Sequence, residues 1–287
     1  MTTAAPAYAR NTNGIMPENH TRRAPDRTHD RVATLLAMGG NVAIHTTAIV
    51  APDVEIGDGT IIGPFAVVLA PCTIGESCWI GPHVVIGTTA EHLDAMTIAQ
   101  VPPAASRDRG VVARRRIDEL MWFGSHGAGV IIGHRSTVRE QTTVNQGTHG
   151  PTRLGEDVYV MNKSHIGHDA VLGDRVRAAP ASMVGGHAWI GADANIGMAS
   201  TIHQHRAIGD GAMIGMNATV VDDIGPFQLA KGTPARPSGV NIVAMTRLGF
   251  TEADIEGLRV HYETDGARPD AFQRQFSAWD RARTRTA

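Results

Sequence analysis

The sequence is poor in aromatic residues, cysteine and net charge, and each shortage excludes a class of protein. Aromatic residues make up only 5% of the 287 residues, whereas 32 residues are glycine, so we expect many tight turns and no core built around large aromatic side chains. The two cysteines, Cys72 and Cys78, are too few for a disulfide framework or a cysteine zinc site. The net charge of −2 favours neither nucleic acid nor an anionic membrane as a partner.

Long apolar runs are missing as well. The chain has no apolar run of about 18 residues, so we predict no transmembrane span. Residues 1–40 are polar, aperiodic and without the apolar stretch of a secretory signal, which predicts a flexible N-terminal extension and a cytoplasmic location. The apolar content of 42% is nevertheless enough to bury a core.

A hexapeptide repeat dominates the chain. Aliphatic residues recur at every sixth position in three runs, and small residues, often glycine, follow many of them. The positions in phase are Ile44, Val50, Ile56, Ile62, Val68, Ile74, Ile80 and Ile86, then Ile132, Val138 and Val144, and, after a short insertion, Leu154, Val160, Ile166, Leu172, Ala178, Val184, Ile190, Ile196, Ile202, Ile208, Ile214 and Val220.

A period of six matches neither a helix nor a simple alternating strand. It indicates a short strand and a turn with one aliphatic side chain pointing inward, and three such units close a triangular coil. Stacked coils are separated by roughly 4.8 Å, the spacing between paired strands. We therefore predict an all-β fold, a parallel β-helix over residues 41–240.

Two parts of the chain depart from the repeat. Residues 88–131 are predicted to form a long extruded loop, in which 114–116 are arginines and 120–123 are apolar, as on a packing or partner surface. The region 241–287 is predicted to be short and helical. In it, a capping box formed by Thr251 and Asp254 predicts a helix to about Tyr262, and a second helix is predicted over about 270–281.

Histidines gather beside one column of the predicted β-helix. The inward residues of this column are Ile166, Val184 and Ile202, and the histidines beside it are His165, His168, His187, His203 and His205. We expect these histidines at turns, with backbone positions within about 10 Å. They could be interface side chains or metal ligands, but general base catalysis suits them better because imidazole titrates near neutral pH.

Two neighbours of these histidines carry further chemistry. Asp169 directly follows His168 and could orient its ring and stabilise the imidazolium. Gly186, in the pair Gly185-Gly186 before His187, has no side chain to block the approach of its N–H to a developing oxyanion. We predict no metal site.

These residues belong to a longer pattern that resembles the UDP-N-acetylglucosamine O-acyltransferases of lipid A synthesis. The motifs that carry the resemblance are Val138-Arg139-Glu140, Asn145-Gln146-Gly147-Thr148, Ser164-His165-Ile166-Gly167-His168-Asp169, Gly185-Gly186-His187, Ile202-His203-Gln204, Gly232-Thr233-Pro234-Ala235-Arg236-Pro237, Gly239-Val240-Asn241 and Arg247-Leu248-Gly249-Phe250.

The resemblance implies a left-handed β-helix, a homotrimer with active sites between subunits, and direct acyl transfer from an acyl carrier protein thioester to a small-molecule acceptor. It also implies that His168 is the general base, that Asp169 polarises it and that the Gly186 N–H binds the oxyanion. No cofactor is implied beyond the thioester co-substrate.

The resemblance assigns binding roles to further residues. Those implied to line the acceptor and the donor linker are His165, His187, His203 and Gln204. Asn241 and Arg247 match positions near the nucleotide and its phosphates. Met216 matches the residue that limits acyl chain length, and since a methionine fills space that a glycine would leave open, it predicts a short to medium acyl chain.

The sequence also departs from the family pattern. An acidic position near the uridine is Val243, and the second of two adjacent arginines is Leu248. The stretch that carries an Asp and a Lys for the acceptor is replaced by residues 102–131, and the C-terminal region is short. These departures predict an altered acceptor, which is a hydroxyl or an amine of a sugar nucleotide or a related small molecule.

Other functions of the same fold remain open from the sequence. Residues 232–236 resemble the closing motif of coenzyme A-dependent hexapeptide acetyltransferases, and Lys231 could meet a phosphate. A zinc enzyme like the γ-carbonic anhydrases would need a three-histidine set whose spacing the chain does not match. A scaffold without catalysis would use the loop over 88–131 to bind its partner.

Overall fold

The computed structural model of the chain describes residues 41–69, 71–90 and 127–286. Within these residues the chain forms a left-handed parallel β-helix with three sheets, followed by short helices, which confirms the predicted fold class. Residues 1–40 and most of the predicted loop, with the arginines at 114–116 and the apolar cluster at 120–123, lie outside the described residues.

Sheet A has ten strands in the described part of the chain, and its last pair is antiparallel. In spatial order they are β1 (Ala43–Ile44), β4 (Ile61–Ile62), β7 (Trp79–Ile80), β10 (Thr137–Val138), β13 (Tyr159–Val160), β16 (Arg177–Ala178), β19 (Asn195–Ile196), β22 (Met213–Ile214), β24 (Gln228–Lys231) and β25 (Arg236–Val240).

Sheets B and C complete the triangular cross-section. Sheet B contains β2 (Ile49–Val50), β5 (Val67–Val68), β8 (Val85–Thr88), β11 (Thr143–Asn145), β14 (His165–Ile166), β17 (Met183–Val184), β20 (Thr201–Ile202) and β23 (Thr219–Val220). Sheet C contains β3 (Glu55–Ile56), β6 (Cys72–Ile74), β9 (Val130–Ile132), β12 (Thr152–Leu154), β15 (Val171–Leu172), β18 (Trp189–Ile190) and β21 (Ala207–Ile208).

The repeat produces this architecture for the predicted physical reasons. Ile166 pairs with Val184, and Val184 pairs with Ile202, so residues 18 apart stack, and these aliphatic side chains are buried in the interior of the coil. Where glycine follows the inward position the corner is tight, since a Cβ on Gly185 would lie 2.6 Å from the backbone nitrogen of Gln204 in the next coil.

The repeat keeps its register across the long interruption. Ile86 of β8 pairs with Val144, and Ile74 of β6 pairs with Ile132, so the coils before and after the interruption stack directly on one another. Thr88 lies in β8 and Val130 lies in β9, so the interruption is shorter than the predicted 88–131.

The helices follow the β-helix and form a second core. They are α1 (Ile242–Arg247), α2 (Glu252–Thr264), a short 3₁₀ helix (Asp270–Phe272) and α3 (Gln273–Thr286). The capping box between Thr251 and Asp254 is present and begins α2, as predicted. None of the helices in the described residues is long and apolar enough to cross a membrane.

The second core differs from the expectation that large aromatic side chains would build no core. Phe227, Phe272 and Phe276 are buried and pack with Met245 and Leu258, so the few aromatic residues do build a core, at the C-terminal end of the β-helix. Single inward aliphatic side chains fill the narrow coil, whereas helices packed against its end leave wider spaces that large rings fill. Helix α3 contacts sheet C, where Trp279 Nε1 donates to the carbonyl of Ala207 at 3.1 Å.

Candidate active site

The predicted histidine cluster lies at the corner where the chain passes from sheet B to sheet C. Three successive coils place His168-Asp169, Gly186-His187 and Gln204-His205 at this corner, directly after β14, β17 and β20. The His168 and His187 rings lie edge to face with centroids 5.0 Å apart, and the His187 and His205 rings stack at 4.6 Å. Residues 18 apart stack, which places His205 over His187, and His168 is one position out of this register, so its ring meets His187 at an edge.

His168 and Asp169 form a hydrogen-bonded pair. Asp169 Oδ2 lies 2.8 Å from His168 Nδ1, and the two side chains are only 7% and 12% exposed. An ionised carboxylate can only accept hydrogen bonds, so in the neutral imidazole Nδ1 carries the proton and Nε2 has a free lone pair. This is the arrangement that a histidine general base requires.

A short loop from the preceding coil holds the Asp169 carboxylate. The backbone N–H groups of His149 and Gly150 donate to Oδ1, and the backbone N–H and hydroxyl of Thr148 donate to Oδ2. Burial acts to raise the pKa of Asp169, but the hydrogen bonds from His168 and this loop outweigh burial and hold the pKa well below its usual range. Asp169 is therefore ionised throughout the physiological pH range.

The loop residues Thr148, His149 and Gly150 were not among the predicted site residues. Their signal in the sequence was the interval from Val144 to Leu154, which is ten residues rather than six. The extra residues form the loop between β11 and β12, and its donors reach Asp169 in the next coil. The break in the repeat is thus part of the site.

Gly186 lies directly against the His168 ring. A Cβ on Gly186 would come within 2.7 Å of His168 Nε2, so only glycine leaves the imidazole in place. Among the residues that the structure describes, the Gly186 N–H has no hydrogen-bond acceptor, whereas its carbonyl accepts from His205 N. A backbone donor without a partner beside Nε2 is suited to an oxygen that becomes negative.

His187 lies between this pair and the following coil. Its Nε2 is 3.9 Å from Asp169 Oδ2. Burial lowers the pKa of His187 and neighbouring imidazoles lower it further, whereas the Asp169 carboxylate raises it, and the pKa is lowered overall. His187 is therefore uncharged near neutral pH.

The other predicted binding histidines have different surroundings. His165 was expected at a turn but lies in strand β14, because it occupies the outward position just before Ile166, and its Nδ1 is 2.8 Å from the Thr143 hydroxyl. His203 and Gln204 are exposed, and His203 Nδ1 lies 2.9 Å from the Gln204 carbonyl. These side chains lie on the coils that carry His168 and the stacked histidines.

Asn241 and Arg247 line a different cavity from the one beside the histidine cluster. They line a cavity of about 440 Å³ between sheet A and α1, which shares no lining residue with the cavity beside Asp169 and His187. The Asn241 side chain caps α1 by accepting from Ala244 N, and its Nδ2 donates to the Gly211 carbonyl at 2.8 Å. A single chain therefore does not bring them to His168.

Met216 lies at the corner between sheets A and B. Its side chain is 69% exposed, and Met198 occupies the same corner one coil earlier, as the hydrogen bond from Asn217 N to the Met198 carbonyl shows. Among the residues that the structure describes, Met216 therefore closes no slot within one chain.

One group of side chains in the described residues has metal-ligating atoms close together. The ligand atoms of His149, Asp169 and His187 all lie within 4.8 Å of one another. The carboxylate of Asp169 already accepts hydrogen bonds from His168 and from the loop at 148–150, and a metal ion would have to replace some of them.

Comparisons with known proteins match both ends of the described chain. The model described as bacterial transferase hexapeptide (six repeats) matches residues 38–70, and the model described as Udp N-acetylglucosamine O-acyltransferase, Domain 2, matches residues 223–264. The chain is 38% identical over 222 residues to the acyl-[acyl-carrier-protein]–UDP-N-acetylglucosamine O-acyltransferase of Paraburkholderia phytofirmans, which covers 76% of this chain and 81% of that protein. The protein of the same name from Paraburkholderia xenovorans is 37% identical over the same shares.

Solved structures give the same picture. The UDP-N-acetylglucosamine acyltransferase of Campylobacter jejuni superposes with a TM-score of 0.64 at 27% identity and covers 80% of each chain. LpxA of Acinetobacter baumannii superposes with a TM-score of 0.55 at 25% identity and covers 85% of this chain and 88% of its own.

Proposed function

Because the chain belongs to the UDP-N-acetylglucosamine O-acyltransferase family, we propose that it transfers an acyl group from an acyl carrier protein thioester to a hydroxyl of a sugar nucleotide. The observation that carries this proposal is the His168–Asp169 pair, in which Nε2 is left as a base beside the free N–H of Gly186. Its family makes the chain an acyltransferase. We propose the donor, the acceptor and the roles of the individual residues.

The proposed reaction begins with removal of a proton. His168 Nε2 takes the proton of the acceptor hydroxyl while the hydroxyl oxygen attacks the thioester carbonyl carbon. The carbonyl electron pair moves onto its oxygen, and the Gly186 N–H donates to this oxyanion. When the tetrahedral intermediate collapses, the C–S bond breaks, and the leaving thiolate takes the proton from His168.

Asp169 supports this cycle without exchanging the proton itself. Its carboxylate is fixed by the loop at 148–150 and remains ionised, so it stabilises the imidazolium that forms on His168 during attack. We also infer that uncharged His187 lies at the acceptor side of the corner, with His165, His203 and Gln204 around the two substrates.

The positions of Asn241 and Arg247 indicate that more than one copy of the chain forms the active site. They match nucleotide-binding positions of the family but lie on a different face from His168 in the same chain. If they bind the nucleotide of the acceptor, a second copy of the chain has to present them to this corner. We therefore propose a homotrimer with active sites between subunits.

The side chains around the cavity between sheet A and α1 favour an acceptor different from UDP-N-acetylglucosamine. Val243 is 76% exposed there, Ile242 is exposed beside it, and Leu248 follows Arg247 on the surface. Apolar side chains cannot pair with a ribose hydroxyl or a phosphate. We infer that an acceptor other than UDP-N-acetylglucosamine is the second candidate.

The test offers purified protein acyl carrier protein thioesters of several chain lengths together with UDP-N-acetylglucosamine, and follows thiol release and product mass. An acylated sugar nucleotide formed in step with thiol release is the expected result. Parallel reactions replace the sugar nucleotide by other alcohols and amines, and an acylated product from one of these alone supports the second acceptor. Parallel reactions with acetyl-coenzyme A test the donor, and acyl transfer from it with none from acyl carrier protein contradicts the proposed donor.

Acyl chain length is expected to depend on Met216. In the proposed homotrimer, an acyl slot that ends at Met216 gains the space of the methionine side chain in the Met216→Gly variant, so the preferred acyl chain should lengthen by roughly four carbons, about the length of the side chain removed. The measurement is kcat/KM across the thioester series. Met198→Gly, which changes the same corner one coil earlier, serves as the control, and an unchanged optimum in Met216→Gly contradicts the role of Met216.

A further inference from the structure

A cavity of about 360 Å³ opens beside the His168–Asp169 pair on the sheet C side. Asp169 and His187 form its edge toward the corner, Val171 and Trp189 form an apolar wall, and Ala282 of α3 lies opposite. Any ligand in this cavity would therefore be next to the groups to which we assign the acyl transfer.

Two arginines from different elements line this cavity. Arg153 lies on the outward face of β12, and Arg285 lies in the last turn of α3. In the described part of the chain neither guanidinium has a carboxylate partner, whereas arginines elsewhere do, including Arg175 with Asp193 and Arg236 with Asp222. We call this cavity the arginine pocket.

The lining of the arginine pocket favours a phosphate ester. Among the described residues of the lining, two guanidinium groups outnumber the single carboxylate, and Asp169 pairs with His168 and the loop at 148–150 rather than with either arginine. Guanidinium groups match phosphate oxygens in geometry and charge. The wall of Val171 and Trp189 can contact the uncharged part of such an ester.

We propose that the arginine pocket binds a phosphate group of one of the two co-substrates through Arg153 and Arg285. The proposal rests on the proposed function, which supplies two sources of a phosphate ester next to His168. One source is the phosphopantetheine linker of the donor, and the other is the diphosphate of the sugar nucleotide. Arg247 lines the separate cavity by α1, so the arginine pocket is a second site.

Arg285 also has a simpler explanation. A cation in the last turn of a helix stabilises the helix through the macrodipole, and Arg283 in the same turn already pairs with Asp223. On that explanation, replacing Arg285 would loosen the end of α3 and leave ligand binding unchanged. Arg153 is on a strand and gains nothing from the dipole, so the two variants together separate the explanations.

The test measures binding by calorimetry without turnover. The probes are 4′-phosphopantetheine, pantetheine and UDP-N-acetylglucosamine, and the variants are Arg153→Ala, Arg285→Ala and Arg153→Lys. Arg259→Ala is the control, because it removes the same charge from the exposed face of α2, where Arg259 pairs with Glu256 and Glu263. Circular dichroism establishes that each variant is folded.

We expect each alanine variant to weaken binding of one phosphate ligand about tenfold relative to Arg259→Ala, with partial rescue by Arg153→Lys and no change for pantetheine. Loss of 4′-phosphopantetheine binding assigns the pocket to the donor, and loss of UDP-N-acetylglucosamine binding assigns it to the acceptor. Unchanged affinities, or no binding of either phosphate ligand to the unmodified protein, overturn the proposal. Arginine-dependent binding without acyl transfer would contradict the proposed function and leave the pocket standing.

Discussion

Replacing His168 by alanine should lower the turnover of acyl transfer by roughly 10²- to 10⁴-fold, the usual contribution of a general base. The His168 Nε2 lone pair is the base placed beside the free N–H of Gly186, and alanine supplies no substitute. The hydrogen bond to Asp169 is the one polar contact that the described residues make with the His168 ring, so the β-helix should remain folded. Thiol release from the acyl carrier protein thioester measures the loss.

The variant His45→Ala is the control, because it removes a histidine that lies outside the cluster. His45 lies in the first coil, where its ring bonds Thr47 and contacts none of the histidines at the corner. His45→Ala should keep full turnover. If His168→Ala retained turnover within a few-fold of the unmodified enzyme, His168 would not be the base.

Asp169→Asn is expected to lower turnover by about 10²- to 10³-fold. Three donors converge on Asp169 Oδ2: His168 Nδ1, Thr148 N and the Thr148 hydroxyl. An asparagine has one acceptor oxygen, so its NH₂ group must face donors on one side of the amide. With its oxygen on the Oδ2 side, the asparagine turns its NH₂ group toward the N–H groups of His149 and Gly150, and the imidazolium of His168 loses its counter-charge.

The same variant has a signature in the pH dependence of stability. The pKa of Asp169 is lowered in the fold, so its ionised form stabilises the folded state above the ordinary aspartate pKa of about 4, and this stabilisation is lost as the pH falls through the lowered pKa. The difference in the free energy of unfolding between the enzyme and Asp169→Asn should therefore be largest at neutral pH and shrink in acid. Denaturant titrations at several pH values measure it, and a difference independent of pH would contradict the network.

The fold could be predicted from the sequence because every hexad repeats the same local rule. An inward aliphatic residue such as Ile166 and a small residue such as Gly167 suffice to define each corner, and stacking 18 residues apart follows. The capping box of Thr251 and Asp254 was equally local. The family resemblance drawn from the motifs at the histidine corner is confirmed by relatives 38% and 37% identical to the chain.

The rest of the site depends on contacts that the repeat does not encode. The loop at 148–150 reaches Asp169 from the preceding coil, and Arg285 reaches the cavity beside Arg153 from the far end of the chain. The antiparallel pairing of β24 with β25 follows the end of the repeat and was not predicted, whereas the region that contains α1 was predicted to be helical. Contacts between distant residues are set by packing, so the ten-residue interval before Leu154 marks the loop but does not indicate what the loop binds.

The position of the proton on the His168 ring decides whether this histidine can act as the base. The chain has 14 histidines, and ¹⁵N NMR of enzyme labelled at histidine, compared with the His168→Ala variant, identifies the nitrogen signals of His168. We expect a protonated Nδ1 hydrogen-bonded to Asp169 and an Nε2 without a proton at the pH of turnover. A His168 ring that carries its proton on Nε2 at that pH would contradict the role of His168 as the base, because no lone pair would then face the acceptor.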